Sequence, residues 1–400
     1  MSGSSSPGRL PRRARTVVLS TYYENIGDDL IRDGTLALLR RIFGELTFRH
    51  LAKSNPLGAV LPLSYFAHGP THRMTGPLRF AVRALDRAVR RWPARPAELA
   101  VVAGTPLFYH LPFGTFLELE PWIDHFHRRV LEAALVPLLT LGIGSILPGN
   151  PPRFPTGYER ERQFIADFID RSVIVTTRDD ATFALLNECR RAGSKTPVFR
   201  TLCPSFWAAD GFGIRREKTV NQARVVSVSF SVESLRWDEG ASEALRRRWA
   251  AVRFVLAELA RRGFSVNLVC HNEHDVPPAK ILAREYRLPS PLRATSRTML
   301  ELFARSRALV TWRVHGALGA NSLGVPALLF RTDSRVGLAA ELDIPVVDDR
   351  VLSEPELLAA LDRLFAGPDA DRLPALRDRM THEEAELRRA MSDLLPEGSA

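Results

Sequence analysis

The chain reads as an α/β protein made of two similar domains, each a parallel sheet covered by helices, with a cleft between them. Three observations carry that reading. Short apolar runs alternate with longer amphipathic segments from Thr16 onward, which is the rhythm of β-α units building parallel sheets. A polar, glycine-bearing stretch over 211–222 interrupts the rhythm, and the pattern restarts after it. The length of 400 residues with 45% hydrophobic content also exceeds what one core usually organises, since single cores stop growing near roughly 250–300 residues. The expected division is a tail over 1–15, a first domain over 16–210, the linker 211–222, a second domain over 223–370 and a C-terminal helix within 371–400.

In the first domain, strands are expected at Thr16–Ser20, Leu99–Ala103, Pro137–Leu141, Val173–Thr176 and Val198–Leu202, each a short apolar run. Asp28–Phe43 places Leu30, Ile31, Gly34, Leu38 and Ile42 near helical spacing, and Ala181–Arg191 puts Phe183 and Leu186 on one side. In the second domain, Arg224–Phe230 and Phe264–Cys270 read as strands, Ala241–Arg261 and Thr298–Ser306 as helices. Ala308–Trp312 is a buried strand, Ala317–Leu323 a short helix ended by Gly324-Val325-Pro326, and Ala327–Phe330 the next strand. Ser353-Glu354-Pro355-Glu356 is a helix start, with a capping serine, a proline in the first turn and the glutamate of a capping box. Leu376–Leu394 is charged and amphipathic and is expected to pack back on the first domain.

The net charge of +10 and a pI near 10.1 suit an anionic substrate, an acidic membrane surface or a nucleic acid. The sequence holds no basic stretch interleaved with aromatics, no zinc-finger spacing and no RNP-like pattern, so no nucleic-acid partner is expected. Cys189, Cys203 and Cys270 are odd in number and lack a C-x-x-C pattern, which argues for a reducing cytoplasm. Val17–Leu19 is too short an apolar run for a signal core or a membrane span. Membrane contact is therefore expected only as a peripheral one at the inner face, for which the basic amphipathic segment Leu78–Trp92 is suited, as it is to packing on a sheet.

Candidate site residues gather where strands end, because ligands of parallel sheets bind outside the carboxyl ends of their strands. Arg313 and His315 follow the strand ending at Trp312, with Gly316 beside them at a helix mouth whose free N–H groups favour an anion. Asn25, Gly27 and Asp28 follow the first strand; they form a good turn and cap, or a ligand loop. Gly104 and Gly144 lie at the ends of further strands, where missing side chains let backbone N–H groups approach an anion. Arg178 precedes the caps Asp179 and Asp180, either as a surface partner of Asp180 or as a fork for phosphate or carboxylate. Arg335 follows the strand ending at Phe330 and can share a ligand with His315. His271 and His274 in HNEHD, and His125 and His127 in WIDHFH, lack the helical i, i+4 spacing of a metal pair, so no metal is expected. Neither a GxGxxG fingerprint nor a Walker A loop is present, and no cofactor is expected.

The ordered set of N-x-G-D at Asn25–Asp28, R-D at Arg178–Asp179, R-x-H-G at Arg313–Gly316 and G-V-P at Gly324–Pro326 resembles the polysaccharide pyruvyl transferase family. The likeness runs loosely from Thr16 to about Phe365 and is most specific between Arg313 and Arg335. It implies two Rossmann-like domains in a GT-B-like arrangement, with an acceptor-side first domain and a donor-side second one. It further implies transfer of the pyruvyl group of phosphoenolpyruvate to two hydroxyls of a sugar or glycan, giving a ketal. On that resemblance Arg178 matches the family arginine and His315 its histidine, both implicated in activity. The family's lysine after the last strand is matched here by Arg335, which keeps the positive charge but cannot exchange a proton near neutral pH. A GT-B glycosyltransferase taking a nucleotide sugar, or a non-catalytic glycan-binding relative, would use the same cleft.

Overall fold

The computed structural model describes residues 15–21, 26–52, 99–104, 106–111, 114–115, 137–146, 155–216, 224–232, 241–331, 336–340, 342–348, 353–366 and 372–392. The expected segment Leu78–Trp92, His125, His127, Asn25 and Arg335 lie outside them. The described residues form two parallel sheets with helices between their strands.

The first sheet contains β1 (Arg15–Thr21), β2 (Leu46–Ala52), β3 (Leu99–Ala103), β4 (Pro106–Leu111), β5 (Gly114–Thr115), β6 (Leu138–Ile146), β7 (Ile174–Thr177) and β8 (Val198–Arg200). Its order is β2-β1-β3-β6, with β7 and then β8 continuing from β6, while β4 and β5 also join at β6. Every described pair is parallel except β4 with β5. Helix α1 (Ile26–Phe43) follows β1, and α2 (Glu159–Arg171) and α3 (Asp180–Cys189) flank β7. The second sheet holds β9 (Val225–Ser229), β10 (Ser265–Cys270), β11 (Leu292–Arg293), β12 (Ala308–Thr311), β13 (Ala327–Phe330) and β14 (Val346–Val347). Its order is β11-β10-β9-β12-β13-β14, so counted from its own first strand it runs 3-2-1-4-5-6, the Rossmann order. The longer helices between and after its strands are α4 (Ala241–Arg261), α5 (Val276–Glu285), α6 (Ser296–Ala304), α7 (Val314–Ser322), α8 (Glu354–Ala366) and α9 (Arg372–Ala390), with a single turn at Gly337–Ala340 between β13 and β14. Two Rossmann-like units thus face each other in the GT-B-like manner.

Helix α1 is central to how they meet. Asp28 and Asp29 in its first turn and Arg40 and Arg41 in its last complement the helix dipole, and Gly44, at φ 79°, ends it in the left-handed conformation glycine tolerates. Because the helix begins at Ile26, Asp28 sits inside the first turn rather than capping it. Leu30, Ile31, Leu38, Leu39 and Ile42 are buried, and so are Arg32, Asp33 and Thr35 on other sides of the helix. Burial all round follows from its neighbours: Gly34 meets the carbonyl of Pro204, where a Cβ would lie 1.8 Å from the oxygen, and Ser296 of α6 donates to Asp33 at 2.5 Å.

The core that α1 nucleates takes in Leu139 and Leu141 from the first sheet, Val269, Leu309 and Leu329 from the second, and Met380, Leu387 and Met391 from the C-terminal end. Helix α9 is fastened to both units. Glu383 accepts from the backbone of Leu202 at 2.6 Å, and Arg377 bonds Asp210 at 2.7 Å and the carbonyl of Ser322 at 3.0 Å. Burial raises the pKa of the Glu383 carboxyl. The stretch expected as a linker is packed over its described part: Ile214 is buried, and Arg215 pairs with Asp210 at 2.7 Å. Ser353 donates through its amide and hydroxyl to Glu356 at 2.8 and 2.7 Å, the glutamate half of the capping box that opens α8. No described helix is long and apolar enough to cross a membrane.

Candidate functional site

In each sheet the parallel strands bring their carboxyl ends to one edge, and the first turns of α1 and α7 meet where the two edges face. The amide of Ile26 donates to the carbonyl of His271 at 3.1 Å, and a Cβ on Gly27 would come within 2.7 Å of His315 Nδ1. Gly27 is therefore required for the close approach of the His315 ring, not for a left-handed turn. Helix α7 begins at Val314 with Arg313 as its N-cap, three residues earlier than the sequence predicts. His315 and Gly316 consequently lie within its first turn. The alanine-rich run concealed this because local propensity does not locate the first residue of a helix well.

On the second sheet, Thr311, Arg313, His271 and Ser229 cluster around that turn. The amide of Arg313 donates to Thr311 Oγ1 at 2.9 Å, and its guanidinium bonds Asp275, 2.7 Å from Nη2 to Oδ1. Asp275 is 0% exposed, and its other oxygen accepts from the amide of His271 at 3.1 Å. Much of the Arg313 charge is thus compensated from within. The sequence signal for Asp275 was HNEHD, a motif whose histidines diverge: His271 is buried while His274 is exposed. His271 is 2% exposed, and neither of its ring nitrogens has a hydrogen-bond partner among the described residues. A Cβ on Gly316 would lie 3.0 Å from His271 Cε1 and 3.2 Å from Thr311 Oγ1, so Gly316 leaves room for the imidazole rather than relaxing a turn. Burial, then the neighbouring Arg313, push the His271 pKa down to about 3, leaving the ring neutral at neutral pH.

On the first sheet, Arg178 occupies the end of β7. It is 2% exposed, and its Nη1 has no hydrogen-bond partner among the described residues. The surface pair with Asp180 is not formed; Asp180 instead pairs with Arg200 at 2.9 Å, and Asp179 caps α3 by accepting from the amide of Thr182 at 2.7 Å. Gly144 lies inside β6, where a Cβ would sit 2.5 Å from Arg178 Nη2; its absent side chain admits the guanidinium. Gly104, at φ 59°, faces Ile31 of α1, 2.5 Å from where its Cβ would be, and so seats the helix rather than presenting open backbone. Beside Arg178 in sequence, Thr177 Oγ1 and Asp179 Oδ2 also have no partner, and Ser145 Oγ next to Gly144 has none. Arg178 has no counter-ion among the described residues; a buried guanidinium so placed costs several kcal/mol, a cost that an anion recovers when it binds.

The model of the polysaccharide pyruvyl transferase family matches the chain over residues 25–334. The chain belongs to that family. The matched region contains every element of the cleft described above, from Gly27 to His315, and the family's transferase activity is the frame for its chemistry. No curated protein matches the chain. Among solved structures, the chain is similar to a UDP-GlcNAc 2-epimerase of Methanocaldococcus jannaschii in complex with UDP-GlcNAc and UDP, at 10% identity and a TM-score of 0.45, over 92% of this chain and 100% of that one. S. aureus MnaA with UDP is similar at 15% identity and a TM-score of 0.48, over 90% and 89% of the two chains. The E. coli heptosyltransferase WaaC with ADP is similar at 13% identity and a TM-score of 0.44, over 87% and 98%.

Proposed function

We propose that the protein transfers the pyruvyl group of phosphoenolpyruvate to two hydroxyls of a sugar or glycan, forming a ketal and releasing phosphate, with the first unit on the acceptor side and the second on the donor side. The observation that carries the reading is Arg178, a buried guanidinium with an unpartnered Nη1, at the same sheet edge as the α1 turn that touches His315. Strands β1, β3, β6 and β7 are successive neighbours, so that edge spans about 14 Å at roughly 4.8 Å per strand. This is room for phosphoenolpyruvate and a sugar ring side by side.

The chemistry needs a proton delivered to the methylene carbon while the charges on phosphate and carboxylate are held. His315 is the general acid in this reading, and Arg178 the fixed cation. The N–H groups opening α7, with Arg313, favour the remaining anionic group, and Arg335 adds charge where the family carries lysine. Protonation of the methylene leaves a cationic centre at the adjoining carbon; a first hydroxyl attacks there, and its proton returns to His315. Phosphate then departs with the bonding pair, and the second hydroxyl closes the ring. Because arginine does not release a proton near neutral pH, the proton traffic falls to imidazole.

Incubation of the purified protein with phosphoenolpyruvate and a panel of sugars and lipid-linked glycans, following phosphate release and product mass, tests the reading. The expected result is equimolar phosphate and pyruvylated acceptor. A folded protein that releases no phosphate with any acceptor overturns it.

A further inference from the structure

The ketal reaction moves two protons. One hydroxyl proton replaces the one His315 gives to carbon, and the second hydroxyl must lose its own as the ring closes. His315 alone serves the first, so the second needs another acceptor in the same cleft.

His271 has the required properties. Its ring is held against the first turn of α7, where a Cβ on the residue after His315 would lie 3.1 Å from His271 Nε2. Both ring nitrogens are buried and unpartnered, so one lone pair is committed to nothing. Ser229 Oγ, at the end of the adjacent strand β9, is also buried and without a partner among the described residues, a second unsatisfied polar atom at the strand ends of this sheet. The backbone of His271 is fixed from two sides, by Asp275 at its amide and Ile26 at its carbonyl, and this holds the imidazole in place. A surplus histidine in a packed core ordinarily satisfies at least one nitrogen, because an unpaired buried polar group costs about 1–3 kcal/mol.

We infer that His271 is a second catalytic imidazole of this site, taking the proton of the acceptor hydroxyl that closes the ketal ring and passing it to the departing phosphate. The inference rests on the pyruvyl-transfer reading. As that hydroxyl's O–H bond breaks, its oxygen forms the second C–O bond to the ketal carbon, and the proton goes to a His271 nitrogen. The phosphate, which left with the electron pair of its C–O bond, then takes the proton, so the imidazole returns to its neutral state. A weakly basic ring suits this step, because attack on a cationic carbon makes the hydroxyl strongly acidic as the bond forms. Depression of the His271 pKa by burial and Arg313 also keeps the ring unprotonated while His315 carries its proton.

The test compares wild type with His271→Phe and His271→Asn, reading kcat, KM for phosphoenolpyruvate, and the rise in Tm that phosphoenolpyruvate produces. The expected result is a kcat lowered at least about 100-fold in both variants, the range of general acid-base contributions, with KM within threefold and the Tm rise retained. A kcat within threefold of wild type in either variant overturns the inference and leaves pyruvyl transfer standing. Loss of the Tm rise together with kcat also overturns it, assigning the ring to binding. A wild type inactive on the whole acceptor panel overturns both.

Discussion

Arg178 and Arg313 look alike in sequence, each an arginine just past a strand end, yet the two edges of the cleft treat them oppositely. Arg313 is ion-paired with a fully buried aspartate. Arg178 is more enclosed, at 2% exposed against 15% for Arg313, and its Nη1 has no hydrogen-bond partner among the described residues. A charge already compensated helps to orient the turn it caps, whereas an uncompensated one is available to a ligand. That difference fits the proposed division of roles, with charge held at the first edge and proton transfer at the second.

Removing each charge should therefore move stability in opposite directions. Arg313→Met strands Asp275 in the interior and is expected to destabilise by about 3–5 kcal/mol, the cost of breaking a buried pair. Arg178→Met removes an unpaired buried charge and is expected to leave Tm unchanged or raise it, while turnover falls at least about 100-fold. Denaturant unfolding of both variants with a phosphate-release assay checks the pair; equal destabilisation would erase the contrast between the edges.

Gly27→Ala and Gly144→Ala sharpen it at smaller scale. The first places a methyl 2.7 Å from His315 Nδ1 and the second 2.5 Å from Arg178 Nη2. Each should lower turnover by about tenfold or more, since misplacing a catalytic group by an ångström has effects of that order. Gly27→Ala should act mainly on kcat through the acid, and Gly144→Ala mainly on the affinity for phosphoenolpyruvate through the anion contact.

The smallest expected effects are in pH dependence, and they also differ by region. Glu383, which ties α9 to Leu202, has its pKa raised by burial, so the folded state holds this proton more tightly than the unfolded chain does. Its contribution is present below the ordinary glutamate pKa and is lost as pH rises toward the raised value. Glu258 on α4 is held by Arg261 and Arg262 with its pKa lowered to about 2 from 4.5, so its contribution is present above 4.5 and is lost as pH falls toward 2. Glu383→Gln should raise relative stability at neutral pH, and Glu258→Gln should flatten the acid limb; Tm against pH for the two variants reads both signs.

Most of the strands were legible because parallel strands buried on both faces appear as bare apolar runs: Leu99–Ala103 and Ala327–Phe330 fall where the sequence predicts. Missed were β2, β4, β5, β11, β14, α2 and α5. Arg49 and His50 dilute the apolar run of β2, Pro106 opens β4, and seven of the thirteen residues of α2, ERERQFIADFIDR, are charged. Within the site, Arg313, His315, Gly27 and Arg178 were legible as types at strand ends, but their partners were not. Asp275 and His271 sit in HNEHD, whose spacing already argued against a metal pair, but only tertiary placement shows that one histidine is buried and the other exposed. The glycines were visible too, although what each one faces, His315, Ile31 or Arg178, is decided by segments up to hundreds of residues away.

The shared core around α1 has a thermodynamic consequence. Residues from both sheets and from the C-terminal helix enclose the same apolar cluster, so neither half can unfold without stripping side chains that the other half depends on. Calorimetry should record one cooperative transition rather than two. Leu387 and Met391 close a core that begins at Ile26, so a variant truncated before α9 should hold two sheets that are no longer one cooperative unit.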